Sequence, residues 1–161
     1  MTKLFLALHV LAAILAVGPV TVAAGMFPRA LRRAQTDPQD PAARSTLRTL
    51  HRICRVYAAL GVAVPVLGFA TASSLGVLGS GWLITSIVLT AGAAAILGLL
   101  VLPGQDAAVG AVEAAADGPS PSSVPDQRTA RRLTMLTGVF NLLWATVTIL
   151  MIIRPGSTTG A

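Results

Sequence analysis

Few side chains in this sequence are of types that can carry out chemistry, and they lie far apart. Histidine occurs at two positions, His9 and His51, and cysteine only at Cys54. A histidine ring nitrogen can bind heme iron or copper, whereas a single thiol can form neither an internal disulfide nor a thiolate metal cluster. The loops contain no glycine-rich phosphate-binding motif and no catalytic triad order. The sequence therefore assigns no catalytic, cofactor-binding or metal-binding residue, and we expect a non-enzymatic protein.

Four long apolar stretches dominate the sequence, and they cover positions 4–27, 56–76, 82–102 and 133–153. None of them contains Asp, Glu, Lys or Arg. Each is at least as long as the roughly 20 helical residues that cross the hydrocarbon layer of about 30 Å. Because the backbone in lipid must satisfy its own hydrogen bonds, each stretch is predicted to be a helix. The sequence predicts an all-α fold, a single membrane domain over 1–161 built as a four-transmembrane-helix bundle.

Composition and charge agree with a membrane protein and give its expected orientation. The 161 residues are 54% hydrophobic and only 11% charged, whereas soluble domains carry about 25% charged residues. All six acids and ten of the twelve basic residues lie in segments 28–55 and 104–132. By the positive-inside rule both segments are cytoplasmic, so both termini are predicted to be extracytoplasmic and the protein to lie in the inner (plasma) membrane. This placement explains the net charge of +6 without nucleic acid, which is not an expected partner.

The first apolar stretch also has features of a signal peptide. Lys3 gives it a basic start, and residues 22–24 (Val-Ala-Ala) resemble a small-residue cleavage site. Its apolar run exceeds the usual length of about 7–15 residues, and cleavage would leave the arginine-rich segment outside. An uncleaved span is therefore predicted.

The two charged segments differ in pattern. Asp40 and Pro41 have the types of a helix N-cap and first helical residue, and a single helix is predicted from Pro41 into the second span, with an amphipathic cytoplasmic part over 41–55. Its arginines fit two interpretations: they contact anionic lipid headgroups, or they only fix topology and snorkel. Segment 104–127 lacks an apolar period and is predicted to be a flexible linker, with weak helicity over 106–116.

Small and polar residues recur along one face of three spans. They are Gly61, Pro65, Gly68 and Ala72 in the second span, Ser86, Thr90, Ala94 and Gly98 in the third, and Thr134, Gly138, Asn141, Ala145 and Thr148 in the fourth. Small residues let membrane helices approach closely. The faces fit the interior of the bundle or the seam of a homo-oligomer, so the expected partners are the lipid bilayer and a second copy or another membrane protein. Prolines in the first two spans are expected to kink the helices, and paired kinks can frame a cavity.

The first span, LFLALHVLAAILAVGPVTVAAGMFPRALRRA, and the later HRICRVYAALG resemble an uncharacterised bacterial integral-membrane family, domain of unknown function 2269. The first span is more distantly similar to the copper-resistance D family and to the heme-dependent, membrane-embedded protoporphyrinogen oxidase. The latter resemblance implies that His9 is a heme ligand, although this chain lacks that oxidase's intramembrane lysine and first-helix tryptophan. His9 thus has two interpretations: a hydrogen-bonded structural residue, or a ligand of heme or copper with Met151 as its partner.

Overall fold

The computed structural model describes residues 2–118 and 127–156, which form helices joined by short turns. In chain order the elements are α1 (Thr2–Thr36), α2 (Pro41–Leu60), α3 (Ala63–Leu75), α4 (Gly81–Ala95), a π-helical segment (Ile96–Val101), α5 (Leu102–Asp117) and α6 (Gln127–Ile153). Within these ranges, four helical runs are long and apolar enough to cross a membrane: Thr2–Thr36, Pro41–Leu75, Gly81–Asp117 and Gln127–Ile153. The predicted all-α fold with four membrane-crossing helices is confirmed.

Helix α1 is longer than a membrane crossing requires. Its 35 residues, at about 1.5 Å each, extend for about 52 Å, against about 30 Å of hydrocarbon. The excess of about 20 Å falls in its C-terminal part, which carries Arg29, Arg32 and Arg33. The first half of α2, most of α5 and the start of α6 lie at this same end of the bundle, which we name the arginine-rich end.

Two aspartates fix the turn between α1 and α2. The backbone N–H of Gln39 donates to Asp37 Oδ1 at 3.1 Å, and the backbone N–H of Ala42 donates to Asp40 Oδ1 at 2.8 Å. Asp40 is thus the N-cap of α2, followed by Pro41 at the first helical position. The cap satisfies one of the donors that a helix start leaves free. The N-cap predicted from the sequence is confirmed.

The predicted single helix from Pro41 into the second span is interrupted. Helix α2 ends at Leu60, and α3 begins at Ala63. Pro65 has no N–H to donate to Gly61, four residues earlier, and its ring crowds that carbonyl. Gly61 O instead accepts from Val64 N–H at 3.1 Å, a tighter turn. Both residues of the break keep right-handed helical dihedrals, so the interruption is a kink between α2 and α3.

The prediction of a flexible linker over 104–127 is wrong for its first part, because α5 continues to Asp117. Three residues of α5, Gln105, Ala108 and Val112, are buried. Their spacing of three and four residues places them on one helical face, and burial of this face stabilises a segment whose alanines already favour helix. Residues 119–126 lie outside the described ranges.

The interior has two apolar cores. One fills the arginine-rich end and contains Ala23, Ala24, Phe27, Leu31, Ala34, Ala43, Leu47, Leu50, Cys54, Ala108, Val112, Ala130 and Leu133. The other lies between the spans and contains Val20, Ala93, Leu97, Val101 and Phe140. The apolar face of α2 belongs to the first core. Other helices of the bundle cover this apolar face, while both interpretations of the arginines on the opposite face stay predictions.

Candidate functional site

His9 packs between α1 and α3. Its ring is 9% exposed, and Nδ1 lies 2.9 Å from the carbonyl oxygen of Val64, to which it donates a hydrogen bond. A Cβ atom added to Gly68 would lie 2.8 Å from His9 Cε1, so glycine at this position gives the ring its space. The second-span stripe of small residues therefore packs on α1 at this point. The structure therefore supports the first interpretation of His9, a hydrogen-bonded structural residue.

The same hydrogen bond bears on the second interpretation of His9. With Nδ1 donating to Val64 O, the neutral ring holds its lone pair on Nε2, as in histidines that bind metal. A ligand set needs further residues, however, and the described ranges contain no group of three or more His, Cys, Asp or Glu side chains suited to a metal ion. Met151, the partner considered from the sequence, is half-buried on α6. Heme or copper binding remains a prediction.

His51 lies in a buried polar cluster at the arginine-rich end. Its Nδ1 donates to Gln105 Oε1 at 3.2 Å, and Gln105 Nε2 donates to Cys54 Sγ at 3.6 Å. Gln105 is 1% exposed and Cys54 is fully buried. Burial raises the pKa of the Cys54 thiol, and the Gln105 hydrogen bond opposes this only in part. Cys54 is therefore a structural thiol that links α2 to α5 and has little thiolate character.

Polar contacts at the rim of this end fasten α5 to α2 and its preceding turn. Gln39 Nε2 donates to Ala116 O at 2.7 Å, and Arg48 Nε pairs with Glu113 Oε1. Asp106 Oδ1 lies 3.3 Å from His51 Nε2, although this contact lacks the geometry of a hydrogen bond. These contacts could not be predicted from a segment interpreted as a flexible linker. The 105, 108, 112 spacing was the signal that could have revealed them.

An open groove of about 520 Å³ follows the outer face of α2 where the predicted second span begins. It is lined by His51, Arg52, Arg55, Val56 and Ala59. Arg52 and Arg55 are exposed, and Val56 is 49% exposed. The groove therefore combines two guanidinium groups with an apolar surface directly beside them on the membrane side.

A smaller cavity of about 150 Å³ lies at the level of the α2–α3 kink. Its walls include Gly61 and Pro65 from the kink, Val20 from α1, and Phe140 and Trp144 from α6. Tyr57 and Thr90 also reach the lining, and they bring hydroxyl groups to an otherwise apolar space. The cavity is smaller than the roughly 300–1,000 Å³ typical of small-molecule sites, so it has room for only a small apolar group.

The small-residue face of α6 points away from the bundle. Thr134, Gly138, Ala145 and Thr148 are exposed. Asn141, half-buried beside them, has its Oδ1 shielded from solvent without a hydrogen-bond partner among the described residues. Asn141 therefore makes no interhelical hydrogen bond through this oxygen within the described ranges. In the third span, by comparison, Ser86 of the corresponding face is buried and Gly98 is exposed.

These features define a class of protein, a helical integral membrane protein with four membrane-crossing helices and a packed, arginine-rich end. Residues 3–155 match the family described as "Predicted integral membrane protein (DUF2269)". The chain belongs to this family. No curated protein and no solved structure matches it, so the more distant likenesses considered from the sequence gain no support.

Proposed function

We propose that this protein is a non-enzymatic membrane protein that acts by helix packing, with the small-residue face of α6 binding a helix of a second copy. We define the α6 face by Thr134, Gly138, Asn141, Ala145 and Thr148. The observation that carries the proposal is the unpartnered Oδ1 of Asn141. A carbonyl oxygen without a hydrogen bond is costly in hydrocarbon, and a flip of the Asn141 amide would turn this oxygen outward to a donor from a second helix, which would remove that cost.

The surface around Asn141 suits close approach of another helix. A Cβ atom built on Gly138 would meet no atom within 4 Å, so no part of the chain that the structure describes covers this position. Exposed small residues extend along the face from Thr134 to Thr148. Membrane helices pack through such surfaces by van der Waals contact, and an interhelical hydrogen bond adds about 0.6–2 kcal/mol.

Disulfide crosslinking in native membranes tests the proposal. Ala145→Cys places a thiol on the α6 face, while Cys54 is fully buried and can remain. Val66→Cys, on the 63% exposed Val66 of α3, is the matched control in the same half of the bundle. We expect a crosslinked dimer with Ala145→Cys, much less with Val66→Cys, and a loss of dimer when Asn141→Leu is added. Equal crosslinking of the two cysteine variants, or monomers alone, would contradict the proposal.

A membrane partner of a different sequence is the other outcome that crosslinking can detect. Such a partner would form a disulfide with the Ala145→Cys variant, and the mass of the adduct would differ from that of two copies of the chain. Addition of Asn141→Leu should again reduce the amount of adduct. Such an adduct would keep the helix-packing function and replace the second copy as the partner.

A heme- or copper-linked redox function is the second candidate, and the Nδ1 hydrogen bond of His9 is the observation in its favour. The absorption spectrum of the detergent-purified protein after heme supplementation tests the heme form. A Soret band that His9→Ala abolishes and His51→Ala preserves would establish it. A featureless spectrum would reject it.

The proposal also includes the orientation of the chain and the identity of the membrane in which it lies. We infer that the arginine-rich end faces the cytoplasm across the inner membrane, because ten basic residues would otherwise lie on the outside. A periplasmic reporter enzyme fused after residue 161 is expected to be active, and one inserted at residue 122 is expected to be inactive. The reverse result would overturn the orientation.

A further inference from the structure

We propose that the groove along α2 binds one anionic phospholipid, with the phosphate between Arg52 and Arg55 and an acyl chain along Val56 and Ala59. This groove is distinct from the α6 face and does not depend on the proposed helix-packing function. Three features of the groove support this proposal: two arginines without acidic partners, a position at the start of the predicted second span, and a buried histidine in the wall.

Three acids of the arginine-rich end contact residues other than Arg52 and Arg55. Asp40 pairs with Arg33 at 3.6 Å, Glu113 pairs with Arg48, and Asp106 lies beside His51. In the part of the chain that the structure describes, no carboxylate lies within ion-pair distance of Arg52 or Arg55. These two guanidinium groups are three residues apart on one face of α2. Together they form a positive site that the protein itself does not neutralise.

The position of the groove selects a phospholipid as its occupant. The predicted second span starts at residue 56, directly after Arg55, so the guanidinium groups lie at the level of the headgroups. Val56 and Ala59 follow on the hydrocarbon side and are exposed. In a phospholipid, a charged phosphate diester is followed by apolar acyl chains, and the groove has positive charge and apolar surface in the same spatial order. A free phosphate would leave the apolar half of the groove unused.

The wall of the groove also contains a buried histidine ring. His51 is 8% exposed and lines the groove. Its Nε2 is buried and makes no hydrogen bond within the described ranges, although Asp106 Oδ1 lies 3.3 Å away. Because Nδ1 donates to Gln105 Oε1, the neutral ring holds a lone pair on Nε2, which can accept a hydrogen bond from a hydroxyl of the lipid headgroup but not from a phosphate oxygen. Arginines that only fix topology would need neither a groove nor such an atom.

Native mass spectrometry of the full-length protein in mild detergent tests the proposal, with phosphatidylglycerol, phosphatidylcholine and inorganic phosphate as probes. The wild type should retain one phosphatidylglycerol in preference to phosphatidylcholine. Arg52→Gln/Arg55→Gln should raise the apparent Kd for phosphatidylglycerol about thirty-fold, from about 1 kcal/mol per arginine. The matched control, Arg29→Gln/Arg32→Gln, removes the same charge from exposed positions on α1 and should change it less than about threefold.

A second variant separates lipid from phosphate and guards against misfolding. Ala59→Trp fills the apolar half of the groove without changing charge, so phosphatidylglycerol binding should fall while phosphate binding persists. Unchanged phosphatidylglycerol binding in Ala59→Trp would mean that the site takes phosphate alone, which overturns the proposal. Equal retention of the two lipids by the wild type, or equal losses in the two double variants, would overturn it as well. If Arg52→Gln/Arg55→Gln loses its helical circular dichroism, Ala59→Trp alone decides.

Discussion

Substitution of Gly68 by alanine should destabilise the protein by displacing His9. The added Cβ would lie 2.8 Å from Cε1 and 3.1 Å from Nδ1 of His9, closer than side chains tolerate. The ring can move away only by breaking its hydrogen bond to Val64 O. Loss of that bond costs about 0.5–1.5 kcal/mol, and overpacking of a buried site costs about 1–3 kcal/mol. We expect Gly68→Ala to reduce the free energy of unfolding by about 2–3 kcal/mol.

The assay is reversible unfolding in mixed micelles at increasing SDS, followed by circular dichroism. Gly92→Ala is the matched control, since a Cβ there would meet no atom within 4 Å, and it should be neutral or slightly stabilising. Combining the substitutions with His9→Ala gives a double-mutant cycle. Because the clash disappears with the imidazole, Gly68→Ala should cost little in the His9→Ala background. Stability equal to that of Gly92→Ala, or additive effects in the cycle, would refute the packing described for His9.

Three further predictions concern the arginine-rich end. Asp40→Ala should lower the free energy of unfolding by about 1 kcal/mol, because the N-cap of α2 is lost, and Asp40→Asn should restore most of this loss. The SDS titration measures both variants. Unfolding free energies equal to that of the wild type would contradict the capping role. Gln105→Leu should cost about 1–3 kcal/mol, because His51 Nδ1 and Cys54 lose their buried partner, and an unchanged unfolding midpoint would argue against the cluster. Cys54 should react slowly with maleimide in the folded protein and quickly in denaturing SDS, since the thiol is fully buried and its pKa is raised; rapid labelling of the folded protein would show that α5 does not cover it.

The sequence was sufficient to predict features that depend on local pattern. The four spans follow from long uncharged apolar runs, and the start of α2 follows from Asp40 and Pro41, whose roles at a helix start are local. The shared face of Leu47, Leu50 and Cys54 also follows from helical spacing, although the sequence did not show what covers it. A helical face looks the same from sequence whether lipid or protein lies against it.

Features that depend on tertiary contacts could not be predicted in this way. Helix α5 carries only a few buried side chains among many small ones, so its helical pattern becomes clear only once its packing on α2 is known. The contact of His9 with Gly68 joins residues of two helices far apart in the chain, and a single sequence gives no signal for such a pair. The unpartnered oxygen of Asn141 is likewise a property of its surroundings and not of its spacing.

Helix α1 extends beyond the bilayer, so one part of the bundle is stabilised in lipid and the other in water. Around Phe27, Leu31 and Leu47, helices outside the hydrocarbon associate because water expels their apolar side chains. Around Val20, Leu97 and Phe140, lipid chains solvate apolar groups as well as protein does, and shape complementarity must hold the spans together. Urea acts mainly on the first kind of association, whereas SDS competes for apolar surfaces in both. The stability measured for the chain is therefore expected to depend on which agent is used to unfold it.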